Sequence, residues 1–582
     1  MLSAGAAPAA GVVRHRTEAT LGADSDERLV NCDGLILAFT GHPRVWTTQG
    51  WNSDPAAIAK AFRENGAAAL RAVRGDFALA AWDTEKAQGL LAVDRMGVRQ
   101  LVYARTSRGL AFASTLDMLL KHPEVPCELS DQAIFDYLYF HVCPGPLTIY
   151  RGLARIPPGH YVEFGRSTDP HPRPYWSMRF EEDGSNDFAS LRSRFIQTVE
   201  AAVSIAASDT ACGSFLSGGT DSSTVSGMLG RARGTPAKTF SIGFDAAGYD
   251  EMRYARIAAS HFGCEHLEYY VMPADVVAAA PIIAAHYDQP FGNASAVPTY
   301  FCAKLAREHG VHRLLAGDGG DELFGGNERY ARQWLLGLYD HLPKVVRSLL
   351  IEPLVLSTPL FRSVPGLRKV HSYVEQASMP MPNRYESRAL LTHLGPENVL
   401  TPEFLAAINR DHPHQLMLEA HEPFAGCSLV NQMLGIDLRF TLADNDLPKV
   451  TRMCELAGVD VAFPLLDEDV VELSARLPAD FKLRGTRLRW FFKEALRDFL
   501  PNEIIRKKKH GFGLPVGTWL TNHPPLLELA SAAVDTLRVR GIVRASFVDD
   551  LRQRLLPAHP AYYGTMTWIL MMLALWLDAK RR

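Results

Sequence analysis

The residues best equipped for chemistry lie in three glycine-bearing segments. The first is Ser217-Gly218-Gly219-Thr220-Asp221-Ser222-Ser223, which follows the short apolar run Ser214-Phe215-Leu216 and leads into a helical pattern over Thr224 to Leu229. Small residues let a backbone bend sharply and approach a ligand, and free N–H groups at a helix start face an anion, so this segment suits pyrophosphate. It lacks the Gly-Lys-Ser/Thr ending of the Walker loop. The second segment runs from Leu314 through Gly317, Asp318, Gly319, Gly320, Asp321 and Glu322 to Gly326, a strand ending among glycines and carboxylates. Magnesium takes hard oxygen ligands, commonly one or two carboxylates together with substrate phosphates, so Asp221 and Asp321 are candidates to share a Mg·ATP. The third, Arg506-Lys507-Lys508-Lys509-His510-Gly511-Phe512-Gly513-Leu514-Pro515, runs basic residues into a glycine hinge. A lysine there would offset the charge that builds up as pyrophosphate leaves. Taken singly, each segment has a plainer reading as a glycine turn, an acidic helix cap or a solvated basic face. Together and in this order they point to ATP chemistry.

Elements able to position these segments are legible around them. Helical patterns from Phe188 onward alternate with short strands at Gly213–Leu216, Thr239–Phe244 and Arg313–Ala316, which implies a parallel sheet covered by helices. Beyond about residue 330 the pattern is mostly helical. Residues from about 30 to 165 carry short apolar runs parted by turns, among them Leu35–Phe39, Phe77–Trp82, Leu90–Val93, Leu101–Tyr103 and Ala111–Ala113, which argue for strands packed in sheets. A Pro-rich stretch from Pro157 to Pro174 and a charged one from Glu181 to Asp187 separate the two patterns. The boundaries are set at 1–180 and 188–582.

Bulk properties limit the alternatives. The chain has 582 residues, 47% hydrophobic and 21% charged, an ordinary globular composition for more than one domain. A net charge of −3 leaves no global footprint for nucleic acid. The 8 cysteines include no Cys-x-x-Cys pair and read as reduced thiols of a cytoplasmic protein. Met1 to Val13 lacks the pattern of a secretory signal. The apolar stretch Trp568–Leu577 is about half a membrane span and reads as a buried helix, so no membrane partner is expected. No pattern speaks to oligomeric state.

Ser217 to Ser223, Ser241-Ile242-Gly243-Phe244, Gly317 to Gly326 and Lys509-His510-Gly511-Phe512 resemble, in order, the signatures of the asparagine synthetase family. The resemblance implies an α+β N-terminal sandwich of the Ntn-hydrolase kind, a degenerate class II glutaminase whose activity is expected to be lost, followed by an α/β PP-loop ATP pyrophosphatase domain with a helical C-terminal part. It implies a ligase that uses ATP and Mg2+ to adenylate a carboxylate, releases pyrophosphate and passes the acyl group to an amine. On the same footing, Ser217, Gly218, Gly219, Asp221, Ser222, Ser223 and Gly317 would bind ATP, and Ile242, Gly243 and Phe244 would form part of the adenine pocket. Asp221 and Asp321 would hold the magnesium, and Lys509 would contact phosphate. Asp318, where the family often has glutamate, would orient substrate or relay a proton. Asp444, Asp446 and Lys449 resemble the family's stretch beside the acceptor site.

The N-terminal half resembles the family's glutaminase through Arg74-Gly75-Asp76-Phe77-Ala78, Trp82-Asp83 and Asp94-Arg95-Met96-Gly97-Val98-Arg99. Active members carry a cysteine directly after the initiator methionine, whereas this chain has Leu2, and its first cysteine, Cys32, is internal, where no free α-amine could assist it. Thr40-Gly41-His42-Pro43 stands where the family has its Asn-Gly oxyanion turn, and His15-Arg16-Thr17 resembles a remnant of the substrate loop. A lost nucleophile and an unread first strand both fit this pattern. The expected substrates are a small-molecule or peptide carboxylate with ammonia or a substrate's own amine. Three readings stay open: an asparagine synthetase, a macrolactam- or β-lactam-forming cyclase whose substrate carries its amine, and a nucleotide-binding relative without catalysis.

Overall fold

The computed structural model describes residues 10–580 except 15–18, 23–28, 49, 108, 166–168, 183–186, 208–210, 247, 387–388 and 508–512. Leu2, His15-Arg16-Thr17 and Lys508 to Phe512, with Lys509 among them, lie outside the described residues.

The first lobe holds strands β1 (Ala10–Arg14), β2 (Ala19–Gly22), β3 (Leu29–Cys32), β4 (Leu35–Gly41), the hairpin β5 (Val45–Thr47) and β6 (Gly50–Asn52), β7 (Phe77–Asp83), β8 (Gln88–Val93), β9 (Val102–Thr106), β10 (Gly109–Ala113), β11 (Leu153–Arg155), β12 (His160–Gly165) and β13 (Pro172–Pro174). They form two larger antiparallel sheets, β11-β9-β10-β1-β2 and β13-β12-β8-β7-β4-β3. Side chains alternate across a strand, and β7 uses both faces. Phe77, Leu79 and Ala81 pack under the helix Pro55–Asn65 with Ile58 and Phe62. Ala78, Ala80 and Trp82 face the other sheet, meeting Leu91, Tyr103, Phe112 and Phe164. That helix begins where Asp54 accepts from the Ala56 N–H with Pro55 at the first position, and it stops at Gly66. The far face of the first sheet, through Val102, Ala104, Ala111 and Ala113, joins a core that runs without interruption into the second lobe.

The second lobe adds β14 (Cys212–Phe215), β15 (Lys238–Phe244), β16 (Glu265–Val271), β17 (Arg313–Leu315) and β18 (Asp460–Ala462), a wholly parallel sheet in the order β16-β15-β14-β17-β18. From β14 the chain builds outward in one direction to β15 and β16, then returns to add β17 and β18 on the other side. The strand order reverses between β14 and β17, and in such sheets ligands bind in the crevice beyond the carboxyl ends of the strands at that point. The two glycine-rich segments emerge from those two strand ends. Helix Phe188–Ala206 opens the lobe, capped by Asp187 accepting from the Ala189 and Ser190 N–H groups. The C-terminal helix Pro560–Ala579 is buried from Met566 to Ala574. Tyr137 Oη–H of the first lobe donates to the Ile569 carbonyl at 2.8 Å, so this helix stitches the two lobes together. Among the described residues no helix is long and apolar enough to cross a membrane.

Candidate functional site

The crevice is a cleft of about 980 Å³ lined by Ser217, Gly219 to Ser222, Ile242, Gly317 to Gly319, Asp321, Asp446, Lys449, Arg489 and Lys507, among others. Ligand pockets commonly enclose about 300–1,000 Å³, so there is room for a nucleotide and part of a second substrate.

The first wall is the turn after β14. The helix begins at Thr220, four residues before the sequence pattern places it, so Thr220 to Ser223 form its first turn. Gly219 is the N-cap and supplies no side chain to the first N–H groups, which leaves them facing the cleft. The turn is latched from within: the Ser217 N–H donates to Ser222 Oγ at 3.1 Å, and the two serine hydroxyls are 3.0 Å apart. Gly218 has φ +67° and lies against the backbone of Tyr254 and Ala255, where a Cβ would collide. Ser223 is wholly buried beneath the turn rather than on the cleft wall.

The second wall is the turn after β17. Asp321 and Asp221 both turn toward one point, and the Arg489 guanidinium occupies it. Arg489 pairs with Asp221 at 2.7 Å, pairs with Asp321, and donates to Thr220 Oγ1. Two carboxylates converging from two strand ends form the donor set that magnesium completes with phosphate oxygens, so the residues fit that ion. They also fit a cation supplied by the chain. Gly326 makes the crossing possible, since a Cβ there would overlap the Asp321 carboxylate and the Arg489 guanidinium. Arg489 itself is held at φ +53°, a left-handed conformation uncommon for a non-glycine residue. Nothing in the local sequence around Arg487-Leu488-Arg489 marks it, because its partners lie 168 and 268 residues away. Lys493, also on the wall, has its pKa lowered by burial and by the neighbouring Arg489, partly opposed by Asp221.

A second charged cluster lines the same cleft. Lys449 Nζ is 2.8 Å from Asp446 and 3.4 Å from Asp318. Burial alone would lower this ammonium, but the two carboxylates outweigh it and hold the pKa above the ordinary lysine value. Asp318 moves up, by burial first, with Lys449 opposing and Asp446 adding to the shift. Asp446 closes a π-helical segment, Leu438–Asp446, a rare geometry that turns its last residues and the following helix toward the cleft.

Of the described residues of the basic run, the cleft is lined by Arg506 and by Lys507. Lys507 pairs with Glu251 at 3.1 Å, donates to the Gly218 carbonyl at 3.3 Å and lies over the Tyr254 ring.

Besides Gly218 and Ser223, three expected site residues lie off the cleft wall. Asp444 is not on the cleft: it is buried against the first lobe, paired with Arg155 and accepting from the Gly145 N–H at 3.3 Å. Two residues, about half a turn of π-helix, separate it from Asp446 and aim it the other way. Of the β15 trio, only Ile242 lines the cleft. Gly243 packs on the Tyr270 ring, and Phe244 is buried against Trp519 with ring centroids 6.1 Å apart. The cleft takes Phe240, Ser241 and Ile242 from this strand, and Gly243 and Phe244 lie past its edge.

The motif residues of the first lobe serve its junction with the second. Asp94 accepts from the N–H groups of Met96, Val98 and Arg99, fixing that turn. Arg99 then bridges Asp76 at 2.7 Å and Asp460 of β18 at 3.1 Å. Arg44 meets Asp467 at 2.7 Å, and the Gly75 N–H donates to Glu468 at 2.7 Å. His42, in the turn that stands where the family has its oxyanion turn, lies 3.2 Å from Asp76 and 3.5 Å from Asp460.

The asparagine synthase family model matches residues 191–578, and the glutamine amidotransferase domain model matches residues 43–176. A Mycobacterium tuberculosis protein named "Putative asparagine synthetase (glutamine-hydrolyzing)" is 29% identical over 92% of this chain and 81% of its own. Asparagine synthetase (glutamine-hydrolyzing) 1 of Bacillus subtilis is 25% identical over 81% of this chain and 72% of its own. Amidase chry2 of Gibberella zeae is 24% identical over 48% of this chain and 44% of its own.

Proposed function

Because the chain belongs to the asparagine synthase family, we propose that it is a carbon–nitrogen ligase of the cytoplasm that adenylates a carboxylate with ATP and transfers the acyl group to an amine. The observation that carries this reading is the convergence of Asp221 and Asp321, from the two strand ends at the sheet's switch point, on one cation position.

In the first half-reaction a carboxylate oxygen attacks the α-phosphorus and pyrophosphate leaves. The uncapped N–H groups of Thr220 to Ser222 receive the pyrophosphate, aided by the positive end of the helix Thr220–Arg233. Asp221 and Asp321 would hold a magnesium ion, which would neutralise charge on the phosphates. When the nucleotide enters, Arg489 leaves the two carboxylates and, with Lys493, turns to the phosphate oxygens, where a fixed positive charge favours the departing anion. Lys509, in the basic run outside the described residues, is a further phosphate contact.

In the second half-reaction an amine attacks the acyl carbon and AMP leaves. Lys449 stays charged between Asp446 and Asp318 and so orients a carboxylate rather than acting as base. Asp318, whose pKa is raised by burial, accepts the proton that the attacking amine gives up.

The amine is ammonia or belongs to the substrate. His42 and Arg99 are engaged with Asp76 and Asp460 at the lobe junction, which favours a scaffold role for the first lobe over glutamine hydrolysis. The same engagement keeps a cyclase acting on an internal amine as the second reading.

The test is incubation with Mg·ATP and aspartate, adding ammonium, glutamine or neither, while AMP, pyrophosphate and asparagine are followed together. Asparagine with ammonium alone supports the ligase with an idle first lobe. Asparagine with glutamine refutes the idle lobe, and no asparagine under any condition moves the assignment to a substrate carrying both groups. Asp321→Asn is expected to abolish pyrophosphate release, and undiminished release would refute the metal assignment.

A further inference from the structure

Residues 344–357 form one continuous helical stretch, Lys344–Val346, Arg347–Ile351 and Glu352–Ser357, that is apolar on both sides. Its inner side, Ile351, Val355 and Leu356, packs on a small core with Leu336, Tyr339 and Val374. Its outer side presents Val345, Leu349, Leu350 and Leu354, each 60–69% exposed, and Leu360 just beyond adds another 56%. A surface helix normally turns polar residues outward, and contiguous exposed apolar residues mark a contact surface. Residues 342–370 contain five basic residues and one acidic residue. Lys344, Arg362, Arg368 and Lys369 are exposed, whereas Glu352 is half-buried and accepts from the Tyr339 hydroxyl.

We propose that this face docks the protein on an anionic lipid bilayer, with Val345, Leu349, Leu350 and Leu354 entering the headgroup boundary while the exposed cations meet lipid phosphates. Apolar residues beside lysines and arginines that outnumber the acidic residues are the composition of interfacial helices. The charge favours this occupant over a second copy of the chain, because two such faces would oppose cation to cation. Binding of this kind is peripheral, needs no spanning helix, and departs from the sequence expectation of no membrane partner.

The test is co-sedimentation of the full chain with vesicles of phosphatidylcholine mixed with phosphatidylglycerol, and with vesicles of phosphatidylcholine alone, at low and high salt. Binding is expected to the mixed vesicles and to weaken with salt. It should fall about fivefold with each of Arg368→Gln and Lys369→Gln. It should fall by more than about a hundredfold in the double variant Leu349→Glu, Leu354→Glu. Those side chains lie on the solvent face, so the variants should keep the wild-type circular dichroism and the vesicle-free rate of pyrophosphate release. Absence of binding to mixed vesicles overturns the proposal, as does equal binding by the double glutamate variant. Self-association that this variant abolishes, without vesicle binding, would assign the face to a second copy.

Discussion

Arg489→Ala separates the two roles given to the cation position. The guanidinium is 7% exposed, and its partners Asp221 and Asp321 are 16% and 20% exposed. Removing one member of a buried ion pair costs about 3–5 kcal/mol, because the other is left desolvated without its counter-charge. The two aspartates retain some contact with solvent at the cleft mouth, which places the cost near the lower end, about 3 kcal/mol. With an unfolding entropy of about 2.1 cal/mol/K per residue, that lowers the melting temperature of a lobe of this size by roughly 4 °C. The distinguishing measurement is thermal unfolding of both proteins in EDTA and then in magnesium without nucleotide. The variant should regain most of its loss as the ion takes over between the two carboxylates. The wild type should gain less, since its own guanidinium competes for the place. Pyrophosphate release by the variant is expected to fall by about 10²–10³, the usual effect of removing one group that stabilises developing charge. An unchanged melting temperature in EDTA, or equal gains from magnesium in both proteins, would refute the shared cation position. Full activity in Arg489→Ala would refute the catalytic role.

Gly326→Ala should abolish pyrophosphate release, because its Cβ would overlap the Asp321 carboxylate and the Arg489 guanidinium; circular dichroism and assay together check that the site rather than the fold is lost. Arg155→Ala leaves Asp444 buried without its counter-charge and is expected to destabilise the lobe junction by about 3–5 kcal/mol, read as faster limited proteolysis between residues 157 and 187. Lys482 is wholly buried, with its pKa lowered by burial to about 7 despite the opposing Glu182. Between pH 7 and its ordinary value of 10.5 the unfolded chain binds more protons at this lysine than the fold does, so stability from this group rises with pH across that window. Replacing it in Lys482→Met should therefore raise the melting temperature most below pH 7, with the advantage shrinking toward pH 10, and an advantage independent of pH would count against burial of the charge.

The glycine-and-serine turn after Leu216 and the glycine-and-aspartate turn after Ala316 were legible in the sequence because each is local: a short apolar run, small residues and then a helix start, all within about a dozen residues. The strands Phe77–Trp82 and Thr239–Phe244 were legible for the same reason, since strand content is written in adjacent residues. In the parallel sheet, the strands Glu265–Val271 and Asp460–Ala462 were not legible. The first carries polar and aromatic residues at a half-exposed edge, and the second is a three-residue addition to the far edge of the sheet.

Sequence alone established the family, the order of the two lobes and the glycine-and-serine turn after Leu216, since these depend on residue types and spacings along the chain. Only the folded chain decided that Asp444 faces the first lobe while Asp446 faces the cleft, because about half a turn of π-helix lies between them and sets their opposite directions. It alone brought Arg489 between Asp221 and Asp321 and engaged Asp76, Arg99 and His42 with Asp460 of the neighbouring lobe. Pairings between charges hundreds of residues apart leave no periodic trace in a sequence. They exist only once the parallel sheet has brought the ends of β14 and β17 together.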